Sequence, residues 1–133
     1  MNDFSDLLKC LRSCEDVETC LRENNFRLVE ELSPKISCKD QSRKDYSSEI
    51  WVRPVGIYYQ AVRIDWKGHP TQPSDFFGHN PHIHFEMFSA KDFGIYLQYP
   101  DGKNKINIQK FSVLSGNTSN DPKETHGPLR VIR

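Results

Sequence analysis

No stretch of this 133-residue chain stays apolar for anything near the ~20 residues that a membrane-spanning helix needs. No membrane association is therefore expected. The first residues, Met1 to Asp6, carry acid rather than base and lead into no long apolar run. That pattern is not a secretory signal, and the expected site of action is cytoplasmic. Net charge is missing as well, since 18 Lys and Arg balance 18 Asp and Glu. A non-specific nucleic-acid binder is usually more basic. The balance is uneven: residues 1–50 hold 8 Lys/Arg against 11 Asp/Glu, and residues 51–133 hold 10 against 7. The later part is thus mildly basic and compatible with an anionic substrate. Repeats and low-complexity tracts are absent. With 36% hydrophobic and 27% charged residues, the chain reads as one globular domain over 1–133.

Zinc-finger spacing is missing too. The four cysteines, Cys10, Cys14, Cys20 and Cys38, are separated by three, five and seventeen residues, and no histidine precedes His69. Short Cys pairs with matching partners would be needed. Cys10 and Cys14 stand four apart on an expected helix, as small apolar residues on its buried face. Disulfides would fit an exported chain, but no secretory signal argues for export.

Phe4, Leu7, Leu8 and Leu11 follow the spacing of an amphipathic helix. Ser13, three residues before Asp16, resembles the capping start of a second helix with Val17, Cys20 and Leu21 on its buried face. Asn24-Asn25 marks a turn. Phe26 to Leu32 reads equally as helix or strand. Residues 1–36 are thus mainly helical, 37–49 a polar connector, and 50–133 a sheet with long loops. Strands are expected at Ile50–Arg53, stopping at Pro54, and at Ile57–Trp66. A loop over 68–80 follows, with Phe76-Phe77 anchoring it. Further strands are expected at 82–88, at Gly94–Tyr99, after the Pro100-Asp101-Gly102 turn, and at 129–132 beyond a polar loop over 115–128. The fold class is α+β: N-terminal helices packed on an antiparallel β-sheet meander.

Of only five histidines, three lie at His79, His82 and His84. In a strand, His82, His84 and Glu86 share one face while Ile83, Phe85 and Met87 share the other. Like-facing residues are roughly 6.5–7 Å apart, which suits a phosphate between an acid and a base, or a metal ion. In the first chemistry, His84 or Glu86 takes a proton, His82 donates one, and Arg63 or Lys67 clamps the phosphate. His69, Tyr58 and His126 would contact substrate, and Tyr59, Trp66, Tyr96 and Tyr99 are further aromatics for base stacking. No cofactor is then needed. In the second chemistry, His82, His84 and Glu86 bind a divalent transition metal, with His69, Asp75 or His126 as other candidates to complete the set. In a third reading the chain is a non-enzymatic immunity or adaptor protein.

The string Pro81-His82-Ile83-His84-Phe85-Glu86 resembles the His-x-His strands of lysostaphin-type peptidases and of cupins. The peptidases' upstream His-x-x-x-Asp and the cupins' later His after a Pro-x-Gly turn have no counterpart here. A broader resemblance runs over about residues 51–100. Arg63-Ile64-Asp65-Trp66, a Gly/His/Pro loop and then the His string are similar to C-terminal nuclease-type toxin domains of bacterial polymorphic toxins. That resemblance implies a small α+β ribonuclease, an RNA substrate and a cognate immunity protein as partner.

Overall fold

The computed structural model describes residues 4–13, 16–29, 48–65, 82–98, 107–125 and 127–128. Two helices open the chain: α1 (Ser5–Ser13) and α2 (Val17–Glu23). Then come β1 (Arg27–Leu28), β2 (Ser48–Val55), β3 (Tyr58–Asp65) and β4 (His82–Ser89). Helix α3 (Ala90–Gln98), β5 (Gln109–Phe111), a helical turn α4 (Pro122–Thr125) and β6 (Gly127–Pro128) complete it. The sheet runs in the order β1-β2-β3-β4-β5, every pair antiparallel, and β6 pairs with the start of β4. The fold is α+β, a meander with helices before and after it. No helix among the described residues is long and apolar enough to cross a membrane.

Strand alternation sorts the side chains onto two faces. Trp51, Val62, Phe85 and Phe111 are register partners in one row across β2, β3, β4 and β5. Helices α1 and α2 cover that face, burying Leu7, Leu8, Leu11, Val17 and Leu21 against it. Phe4 is the hub of this layer: its ring stacks on Phe85 at 4.6 Å and meets Phe111 edge-on at 5.0 Å. A buried Gln60 on the same face takes a hydrogen bond from Arg53 Nε at 2.7 Å, and Arg53 Nη1 also donates to the Asn24 carbonyl at 2.9 Å. That polar pair is therefore structural.

The second face divides along its length. Toward the β2–β3 turn it is apolar: Val52, Ala61, Phe88 and Phe93 form a smaller core with Val29 and with Ile50, the register partner of Arg63, and Tyr59 lies against Phe93 at 4.3 Å between ring centroids. Toward the far end of β3 it is polar, and the candidate site lies there.

Local chemistry explains the element ends. Asp16 caps α2, its side chain accepting from Glu18 N–H at 3.1 Å and from the Thr19 hydroxyl at 2.5 Å. The cap is Asp16 itself rather than Ser13, which lies at the end of α1. Asn25 takes the left-handed conformation (φ 67) and Phe26 N–H returns to the Leu21 carbonyl at 2.9 Å, closing the helix. Phe26 to Leu32, open between helix and strand, contains β1. Gly56 (φ 61) supplies the positive φ that a two-residue hairpin turn needs, and so fixes the β2–β3 register.

Three sequence expectations are corrected. The first strand does not stop at Pro54. It runs from Ser48, inside the expected connector, to Val55, because β1 pairs only with Trp51 and Val52 and Pro54 has no described neighbour on that side to receive an N–H. The strand expected at Gly94–Tyr99 is helix α3 over this range as far as Gln98. Ser89 Oγ accepts from Asp92 N–H at 3.1 Å, a helix start that the β-prone run of Ile95, Tyr96 and Leu97 masked. The polar loop expected over 115–128 contains α4 and β6. The loop over 68–80 with Phe76-Phe77, and the strand at 129–132, lie outside the described residues.

Cys10 does not serve merely as an apolar helix residue: it is disulfide-bonded to Cys20, joining α1 to α2 across a separation of 10 residues. Cys14 and Cys38 lie outside the described residues. Closing a loop of that size stabilises by about 2–3 kcal/mol in the chain-entropy picture. Cys10→Ser is expected to lower the urea midpoint of the oxidised protein accordingly. A midpoint equal to wild type under oxidising conditions would show that the bond contributes nothing.

Candidate active site

The β3–β4 register sets Asp65 opposite His82, Arg63 opposite His84 and Ala61 opposite Glu86. Partners in register point to the same side of a sheet, so Arg63, Asp65, His82, His84 and Glu86 share the polar face. Their side chains converge. His82 Nε2 is 2.9 Å from Asp65 Oδ2, and His84 Nε2 is 3.6 Å from the same oxygen. The two imidazole rings meet edge-to-face with centroids 4.7 Å apart, closer than the strand repeat alone provides. One ligand atom from each of Asp65, His82 and His84 can be chosen so that all three lie within 4.8 Å of one another. Arg63 stands between carboxylates, Nη1 at 3.6 Å from Glu86 Oε1 and Nε at 3.7 Å from Asp65 Oδ2.

The group is buried. His82 is 0% exposed, Asp65 2%, His84 7% and Glu86 8%. Burying charge is costly unless it is paired, and the Arg63 guanidinium lies within 3.7 Å of both carboxylates. Burial holds the His84 pKa well below its ordinary 6.5, and the positive charge of Arg63 and the neighbouring His82 push the same way. The hydrogen bond and charge of Asp65 oppose them without prevailing. His84 is therefore a neutral imidazole at neutral pH, able to accept a proton or a metal ion.

Four of the expected residues, Arg63, His82, His84 and Glu86, are thus brought together. Tyr58 is not with them. It opens β3 at the hairpin end, opposite Ser89, on the other face and about 23 Å from Asp65 at the strand repeat. Tyr59 is packed on Phe93 and is core. Lys67, His69, Asp75 and His126, with Trp66 and Tyr99, lie outside the described residues. Asp65 is the member that sequence reading missed. Its signal was available: it follows Arg63 by two residues in the same strand, so whatever face Arg63 takes, Asp65 shares. A groove of about 580 Å³ lined by Tyr58, Met87, Phe88, Ser89, Asp92 and residues 107–109 lies at the hairpin end, away from these groups.

Compared with protein-family models, with curated proteins and with solved structures, the chain matches none.

The lowered pKa of His84 sets a pH dependence for the metal-free protein. Below the ordinary value of 6.5 the unfolded chain takes up a proton that the folded chain refuses. Stability is therefore full above about pH 6.5 and falls as pH drops toward the lowered value. Urea midpoints measured in chelator between about pH 7.5 and 5 should show this decline, and His84→Gln should make it shallower. An unaltered slope in the variant would assign the decline to other groups.

Proposed function

We propose that this chain is a metal-dependent hydrolytic enzyme whose centre is Asp65, His82 and His84. The observation that carries the reading is convergence: both imidazole Nε2 atoms face one carboxylate oxygen, at 2.9 and 3.6 Å. Donor atoms around a tetrahedral zinc ion, each at 2.0–2.2 Å from it, are roughly 3.3 Å apart, a spacing these two distances bracket. An acid and a base acting on one phosphate stand on opposite sides of it, each about 2.6–3.2 Å from its own reacting oxygen. Imidazoles directed at a shared oxygen suit that arrangement less well.

Two histidines and a carboxylate leave open positions for water and substrate. A zinc-type ion would supply Lewis acidity and a nucleophile from bound water at neutral pH. The protein's part is to hold the donors. Strand pairing sets Asp65 beside His82, Arg63 steadies Asp65 as an outer partner, and burial limits competing water. The carboxylate of the set is Asp65; Glu86, the expected third ligand, is instead the partner of Arg63.

Titrating cobalt or zinc into the chelator-treated chain is expected to give one bound ion per chain, with a visible cobalt band of low-symmetry type. Asp65→Asn and His82→Gln should each weaken binding by about a hundredfold or more, while Glu86→Gln should change it only several-fold. Absence of stoichiometric metal, or equal affinity in all three variants, would overturn the reading.

One contact favours a second reading. The Asp65–His82 pair at 2.9 Å has the form in which a carboxylate orients a catalytic imidazole. In that reading the chain is a metal-independent ribonuclease of bacterial toxin type, with an immunity protein as partner. His84 takes the 2′-hydroxyl proton as the 2′-oxygen attacks phosphorus. His82 protonates the departing 5′-oxygen, leaving a 2′,3′-cyclic phosphate, and Arg63 offsets the phosphate charge. RNA cleavage in excess chelator separates the two readings. Cleavage that survives chelation and is lost in His84→Ala supports the ribonuclease; cleavage that stops on chelation supports the metal centre.

A further inference from the structure

We infer that the centre takes a phosphate-type oxyanion, seated between the metal ion and Arg63; the inference rests on the metal reading above. The first ground is charge. Of the five converging side chains, Asp65 and Glu86 carry two negative charges and Arg63 one positive. Ligating imidazoles are neutral, so in the metal-bound site these side chains sum to a net negative charge of one before the ion is counted. A divalent ion reverses that to a net positive charge of one, in a buried site where charge interactions are weakly screened. A neutral substrate would leave the excess uncompensated, a cation would increase it, and an anion removes it.

The second ground is access. Arg63 is the most exposed of the five side chains, at 23%, against 11% for Glu86, 8% for His84, 3% for Asp65 and 1% for His82. A ligand therefore meets the Arg63 side chain first, with its Nε buried beneath on the Asp65 side. The guanidinium already faces one carboxylate through Nη1 and another through Nε, so its donor edges are directed at oxygen. Drawing the Asp65 oxygen onto an ion weakens its hold on Nε and leaves that edge for an oxygen of the ligand. A tetrahedral oxyanion can present separate oxygens to the ion and to the guanidinium fork. Lys110, exposed on β5 at the register position opposite Glu86, adds positive charge at the rim.

The test is inorganic phosphate titrated into the cobalt-loaded full-length chain, followed by calorimetry and by the shift of the visible cobalt band, with metal content measured first. The loaded protein is expected to bind phosphate at least about ten-fold more tightly than the metal-free protein. Compared at cobalt concentrations that fill the site in each protein, Arg63→Gln should weaken that binding about ten-fold or more, and Arg63→Lys should recover part of it. The comparison of loaded with metal-free wild type stands even if a variant fails to fold. Cobalt uptake without phosphate binding, or phosphate affinity unchanged in a folded Arg63→Gln, overturns the oxyanion seat and leaves the metal centre intact. Acetate binding as tight as phosphate overturns the phosphate assignment. Failure to load cobalt overturns both.

Discussion

The antiparallel pairing of β3 with β4 is the constraint on which the rest depends. It places Asp65 opposite His82 and Val62 opposite Phe85 at the same time. One register therefore builds the polar group on one face and the aromatic row on the other. A slip of a single residue would send the histidines toward α1 and α2 and turn Ile83 and Phe85 toward Arg63. Every apolar contact on the helix side, with Phe4 on Phe85 at its centre, resists that slip. The hydrophobic core thus holds the polar geometry without touching it.

The polar face is expensive. Two carboxylates and two imidazoles are withdrawn from water within two strands, beside a half-buried guanidinium, and such groups cost more to bury than they return unless each has a counterpart. A sheet needing only to cover its second face would use residues like those at its other end, where Val52, Ala61, Phe88 and Phe93 do so. Both solutions occur on one surface, a few residues apart. This contrast is the physical reason for reading the polar end as a site rather than as surface.

The sequence disclosed what depends on local order. The i, i+3, i+4 spacing of Phe4 to Leu11 marked α1, and the two-residue period of 82–88 was enough by itself to separate the histidine face from the aromatic face. Arg63 was legible as a neighbour because its strand precedes the histidine strand. What depends on pairing was not legible. That Asp65 shares a face with Arg63 was legible, but its pairing with His82, seventeen positions on, comes from register, which no window of sequence displays. Cys10 meets Cys20 through the packing of α1 beside α2. Helix α3 was hidden for a different reason: its β-prone residues conflict with the cap at Ser89, and tertiary packing of Phe93 on Tyr59 resolves the conflict.

The two-residue turn at Gly56 has a consequence for the order of folding. The β2–β3 hairpin closes over almost no chain, so its entropic cost is small and it can form early. The β3–β4 pairing spans a longer closure and has to wait for contacts that repay it. Asp65 and Arg63 are therefore presented on a finished hairpin, and His82, His84 and Glu86 arrive with the later strand. A chain in which only the hairpin has formed holds Arg63 and Asp65 without the residues of the later strand. The contact of Asp65 with His82 thus exists only once the sheet has been assembled in its proper register.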